Sequence, residues 1–154
     1  MDIRVLSADF IYVEGRKIRG RRLFFDKYFN HTRDIFVHKN VVIKLDRMVS
    51  RDEYVDGQCD VEVGIYKKLR KSEKRFFAGI ITHGRFKNEE GYKGGWIAQP
   101  LIYKSKKKEN PYDHKDWSLF SKICDDNNIS DVFDSERNCF VDVLGRLICV
   151  DWGV

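Results

Sequence analysis

The chain has 154 residues, 42% hydrophobic and 14% aromatic, enough for one domain with a buried core and too apolar for a disordered tail. Its 29 Lys and Arg stand against 24 Asp and Glu, a net charge of +5 with a pI near 9.0. That mixture of signs reads as a solvated surface and leaves an anionic partner open. No basic start followed by an apolar run opens the chain, and no stretch approaches the ~18 apolar residues of a membrane helix, so the expected location is the cytoplasm, with no membrane partner.

In chain order, the basic run Arg16–Arg22 comes first. Like Lys67–Lys71 further on, it is separated from other cations by apolar elements, which favours solvated faces and makes nucleic acid an unlikely partner. From Asp34 to Asp46, two β-branched runs flank a Lys39-Asn40 turn and predict a hairpin. Val41, Ile43 and Leu45 share one face of its second strand, so Lys44 points with Val42 to the other.

Ser50-Arg-Asp-Glu53 is a capping-box pattern that predicts a helix starting near residue 51. Val55, Cys59, Glu62, Tyr66 and Leu69 form one stripe on it at helical period. A carboxylate in the middle of an apolar stripe needs a cation beside it or a place at the stripe's edge, because a bare buried carboxylate costs several kcal/mol. Gly57 and Gly64 each weaken the helix by about 1 kcal/mol.

Phe76–Thr82, a glycine-spotted loop from Lys87 to Gly95, and Trp96–Tyr103 predict a further hairpin leading into an extended segment, with Pro100 ending the strand. A short basic linker, Lys104 to Lys108, leads to a helix expected over Asp113–Cys124, with Trp117, Phe120, Ile123 and Cys124 on one face. A hairpin over Cys139–Val150, turned at Gly145, precedes Asp151-Trp152-Gly153. The four cysteines show no C-x-x-C spacing and read as reduced core residues, and the four histidines have no metal-ligand spacing.

The order strand lysine, helix glutamate, extended segment, helix, asparagine, hairpin and Asp-Trp-Gly resembles the protein-kinase-like fold, and within it the small atypical kinase-like proteins of bacteriophages. The runs that carry the likeness are Arg33-Asp-Ile-Phe-Val-His38 ahead of Val41-Val-Ile-Lys44, and Glu62-Val-Gly-Ile-Tyr-Lys-Lys-Leu69. The resemblance implies an α+β fold: a kinase-like N-lobe over 1–99 built from a twisted antiparallel sheet and one packed helix, a hinge at 100–103, and a remnant over 104–154 with a short helix and the terminal hairpin, the second lobe being largely absent. It implies ATP and Mg2+ as cofactors. Lys44 would pair the α- and β-phosphates with Glu62 orienting it, Asn138 and Asp151 would hold magnesium, and the backbone of 99–102, with Gln99 and Leu101, would meet adenine.

The departures are equally specific. The family's glycine-rich loop is replaced by Asp26-Lys-Tyr-Phe-Asn-His-Thr-Arg33, so that Thr32 and Arg33 would have to take over from backbone N–H groups at the phosphates. Five positions before Asn138, where the family has its catalytic aspartate, stands Phe133. Asp131 is the base implied by the phage-type Ile129-Ser-Asp-Val132 run, although it equally reads as a turn cap, and Asp134 flanks Phe133 on the other side. Singly, Lys44 could be a strand's solvent face and Glu62 a helix-edge charge. Two functions follow: a Mg-ATP-binding protein with slow phosphotransfer or autophosphorylation, or a pseudokinase-type interaction protein, plausibly phage-encoded, that binds a host protein in the host cytoplasm.

Overall fold

Alternation of buried and exposed positions organises the first of two units into which the chain divides, Met1–Val63 with Ile80–Leu101; the second is Gly64–Gly79 with Ile102–Val154. The computed structural model describes residues 1–5, 10–19, 33–46, 57–87, 91, 93–130 and 138–152. Both units mix helix with antiparallel strands, so the chain is an α+β protein.

The first unit opens with a three-stranded antiparallel meander, β1 (Ile3–Val5), β2 (Phe10–Val13) and β3 (Arg16–Arg19). The β2–β3 turn is Glu14-Gly15, both at positive φ (50° and 76°), the two-residue geometry whose twist matches that of paired strands. The predicted hairpin follows as β4 (Arg33–His38) and β5 (Val41–Asp46), with Lys39 at φ 53° in its turn. With β6 (Thr82–Lys87) and β7 (Lys93–Pro100) it makes a four-stranded antiparallel sheet in the order β4-β5-β7-β6.

One face of that sheet buries Phe36, Ile43, Leu45, Trp96, Ala98 and Phe86 against Ile11 and Val13 of the meander. Each of the larger aliphatic and phenyl side chains among them contributes roughly 1.5–3 kcal/mol by leaving water. Phe36→Ala, at a fully buried position, would cost about 3–5 kcal/mol. The other face receives α1 (Gln58–Lys68), whose Cys59 and Val63 pack on Ile97 of β7 with Ile80 beside them.

The expected hairpin over 76–103 forms in a different register. Phe76 ends a 3-10 turn (Lys74–Phe76), the first strand begins only at Thr82, and Gly94 and Gly95 belong to β7 instead of a loop. The reason is steric. Gly84 lies opposite Trp96 and Gly94 opposite Phe86, and a Cβ on either glycine would stand 2.8 Å from the facing ring. Glycine is required there because a ring occupies the place of its side chain.

The second unit centres on aromatic rings. Phe120 of α2 (Trp117–Asp126) contacts Phe76, Phe77 and Trp117, and Trp152 packs on Phe77 and Tyr66 with centroids 5.5 and 5.9 Å away. The terminal hairpin is β8 (Cys139–Val141) with β9 (Leu147–Cys149), and Gly145 takes φ 78° in its turn. Both edges of the hairpin are extended: Ala78 N–H donates to the Cys149 carbonyl, and Ser105 N–H to that of Val141.

Helix α2 starts at Trp117, later than the expected Asp113. Pro111–Asp113 form a separate 3-10 turn capped by Asn110, whose Oδ1 accepts from Tyr112 N–H. His114 Nδ1 then accepts from Asp116 N–H and holds the chain out of the helix. At the far end Asn128, at φ 56°, donates to the Asp125 carbonyl and Ile129 to that of Cys124, a left-handed cap with asparagine where glycine is commoner. All four cysteines are buried free thiols; burial pushes Cys124 and Cys139 up to about 12.

Candidate functional site

Period-2 alternation puts Arg33, Lys44, Asp46 and Gln99 on the α1-facing side of the four-stranded sheet. In register, Arg33 lies opposite Asp46, Ile35 opposite Lys44, Lys44 opposite Ile97 and Val42 opposite Gln99. All four polar residues are buried, and Glu62 projects into the same layer from α1, fully buried. The unpartnered carboxylate that the helical stripe threatened therefore does not occur: Lys44 Nζ is 3.9 Å from Glu62 Oε2, and Arg33 Nη1 is closer still, at 2.9 Å.

The two distances differ in meaning. At 2.9 Å the guanidinium is in contact with the carboxylate, whereas at 3.9 Å the ammonium stands at the outer limit of an ion pair. Arg33, expected to substitute for loop N–H groups at a phosphate, pairs with Glu62.

Asp46 was not singled out in the sequence, yet it fixes where α1 begins. The described helix starts at Gln58, with Gly57 as its N-cap, since the Gly57 carbonyl accepts the first helical bond from Val61 N–H. The capping box at Ser50–Glu53 lies outside the described residues. Asp60, in the first turn, accepts from Gly57 N–H, and both oxygens of Asp46 accept from Cys59 N–H at 3.1 and 3.3 Å. A strand residue thus supplies the side-chain cap that glycine lacks. A Cβ on Gly57 would stand 2.3 Å from Asp46 Oδ2. Burial raises the Asp46 carboxyl above its ordinary value and Asp60 adds to the rise, while the Cys59 hydrogen bonds and the Arg33 charge pull it back. The signal for Asp46 was present in the sequence: it follows Lys44 by two residues and so shares its face.

Gln99 lies within β7, buried, and its Nε2 has no hydrogen-bond partner among the described residues. Leu101 follows Pro100, where β7 ends, and its N–H donates to the Asn40 carbonyl at 2.8 Å. The backbone donor expected to meet adenine at Leu101 is therefore engaged by the β4–β5 turn.

In the second unit the hairpin register brings Asn138 and Asp151 to one end. Cys139 faces Cys149, Val150 N–H donates to the Asn138 carbonyl at 2.8 Å, and Asp151 is the next residue, its carbonyl accepting from Cys149 Sγ. Asp151 is half-buried and Trp152 fully buried. An amide and a carboxylate are hard oxygen donors of the kind magnesium takes, and it takes few from protein and the rest from water and phosphate. Among the described residues no three His, Cys, Asp or Glu side chains converge to hold a metal by themselves. Asp131, Phe133 and Asp134 lie outside the described residues.

At the opposite, turn end of the hairpin, Asp142 accepts from Leu144 and Arg146 N–H, and its Oδ2 takes Nε and Nη2 of Arg146 at 2.8 and 2.7 Å. Burial alone would raise this carboxyl, but the Arg146 and backbone hydrogen bonds outweigh it and hold it below the usual range. No described helix is long and apolar enough to cross a membrane.

Comparison of the chain with family models, with curated proteins and with solved structures returned no match.

Proposed function

We propose that the chain is a kinase-like protein that binds Mg-ATP, with slow phosphotransfer directed at itself or a bound partner. The observation that carries this reading is the buried Arg33–Glu62–Lys44 cluster, with its lysine on a central strand and its glutamate on the one helix packed against that sheet. The strand order lends support. The four strands run in the order β4-β5-β7-β6 with α1 on one face, and an antiparallel sheet with one packed helix is what the resemblance implies for an N-lobe.

Lys44 would contact the α- and β-phosphates, because its ammonium is a compact charge with three donors and Glu62 fixes its direction. Asn138 and Asp151 would hold the magnesium ion, which neutralises phosphate charge when bound. Arg33 keeps the Glu62 charge compensated while Lys44 is drawn toward phosphate. Positioning of an acceptor decides the rate of phosphoryl transfer. With Phe133 five positions before Asn138, rapid turnover on free substrates is not expected.

The engaged Leu101 N–H and the absence of glycine from 26–33 favour a second reading, a pseudokinase-type scaffold that binds a host protein. A thermal-shift titration separates the two. A ligand that binds only the folded chain raises stability by RT ln(1 + [L]/Kd), about 2.7 kcal/mol at a hundredfold excess over Kd. Mg-ATP should give a shift that Lys44→Met and Asp151→Asn each abolish, with radiolabel from γ-labelled ATP appearing on the chain before casein. No shift up to millimolar Mg-ATP would reject the nucleotide reading in favour of the scaffold, and a shift that survives Asp151→Asn would remove magnesium from that residue.

A further inference from the structure

The meander β1–β3 has two unlike faces. Ile11 and Val13 are fully buried in the core, with Ile3 and Ile18 beside them. The alternate residues Phe10 and Tyr12 therefore point outward from the central strand, half-buried. Register then puts cations on both sides of the rings: Tyr12 lies opposite Arg4 on β1 and Lys17 on β3, and Phe10 lies opposite Arg19. Arg4, Lys17 and Arg19 are all exposed, as is Arg16 at the strand's start. Lys17 Nζ sits 4.1 Å from the Phe10 centroid, and the Phe10 and Tyr12 rings meet edge to face at 6.0 Å.

We infer that this outer face binds single-stranded nucleic acid. Phosphates would run along the Arg4 and Lys17/Arg19 flanks while a base lies on Tyr12, the ring that stands between cations of both flanking strands. The chemistry is specific to that class of ligand. An aromatic platform between cations meets stacked bases and a phosphate chain together, whereas an acidic peptide has no use for the platform. Among the described residues the carboxylates nearby are Asp2, whose Oδ2 is 4.0 Å from Arg4 Nε in an exposed pair, and Glu14, which accepts from Asp2 N–H. Both sit where β1 begins and β2 turns into β3, at one end of the face, and an exposed pair of that kind contributes little. In sequence the charge continues through Gly20-Arg21-Arg22. The sequence pattern favoured a solvated face for this run; the alignment of its alternate residues with two aromatic rings favours a stacking surface.

The test is fluorescence anisotropy of the full chain with labelled 12-nucleotide oligothymidylate and oligouridylate across a salt series. Three phosphate contacts would give a slope of log K against log salt near −2, at about −0.7 per contact for single strands. Lys17→Glu/Arg19→Glu should weaken binding at least tenfold, while Lys106→Glu/Lys107→Glu, with the same charge change at exposed positions on the linker, should weaken it less than twofold. Tyr12→Leu, which keeps the apolar stem, should weaken it roughly five- to a hundredfold, the range for one stacked base. Equal loss in the two double variants would overturn the proposal. So would a Tyr12→Leu protein that binds as tightly as the native chain, or binding to a 12-base-pair duplex or to anionic phosphatidylserine vesicles at least as tight as to the single strands. Absence of binding to both oligonucleotides in low salt, with the chain folded by circular dichroism, would overturn it outright.

Discussion

Replacing Glu62 by glutamine isolates what the buried cluster contributes. The side chains of Glu62, Arg33 and Lys44 are 0%, 5% and 6% exposed, so solvent cannot screen the charges when the carboxylate is removed. Breaking a buried pair in this way costs about 3–5 kcal/mol. At roughly 2–4 °C per kcal/mol for a chain of this size, Glu62→Gln should melt about 6–20 °C below the native protein by circular dichroism. The distances also rank the partners. Arg33→Met removes the 2.9 Å contact and should cost more than Lys44→Met, which removes the 3.9 Å one. Replacing all three together by methionine should recover most of the loss, since an apolar cluster of similar volume needs no compensation. A Glu62→Gln protein within about 1 kcal/mol of native, the range of an exposed pair, would refute the buried-cluster account. Equal costs for Arg33→Met and Lys44→Met would refute the ranking.

Further outcomes follow from the caps, the carboxylates and the thiols. Gly57→Ala must displace Asp46 from Cys59 N–H and should lower the urea midpoint by the equivalent of about 1–2 kcal/mol. Gly64→Ala, with open space around its Cβ, should raise it by about 0.5–1 kcal/mol, and a fall in that variant would contradict the geometry. Asp142 has its carboxyl held down, so its contribution is present above the ordinary value of 3.8 and is lost as pH falls through the lower folded value. The stability difference between native and Asp142→Asn should therefore be large at pH 7 and vanish toward pH 2, and a pH-independent difference would assign Asp142 a purely steric role. Native protein should not react with a thiol reagent at pH 8, because all four cysteines are buried and unionised, while guanidinium should expose four equivalents; fast native labelling of any cysteine would contradict that burial.

How far the sequence carried depends on the kind of signal. The hairpin at 33–46 and the one at 139–149 were legible, because β-branched runs around a Lys-Asn or glycine turn admit little else. So was the Lys44–Glu62 pair, since a carboxylate in an apolar helical stripe demands a cation. The closer role of Arg33 was not legible, because it follows from the β4–β5 register, which alternation alone does not fix. The cap on Cys59 was not legible for a related reason: it comes from Asp46, 13 residues earlier in the chain. The 82–100 hairpin was placed too early because Phe76 and Phe77 look like strand residues. They instead fill the aromatic core of the second unit, and glycine-spotted Thr82–Lys87 has no apolar alternation to announce it.

That weak pattern bears on how β6 avoids mispairing. Thr82-His-Gly-Arg-Phe-Lys87 is an edge strand in its sheet with Phe86 as its one large apolar side chain, a type of strand whose register slips readily. Here two rings and two glycines act as interlocking teeth, Trp96 over Gly84 and Phe86 over Gly94. A shift by one residue would drive Trp96 against His83 or Arg85 and would turn Phe86 out of the core. Alignment at this edge is thus enforced by shape complementarity where hydrophobic alternation is too faint to enforce it, and alanine at either glycine would blunt a tooth and admit the slipped pairings that lead to aggregation.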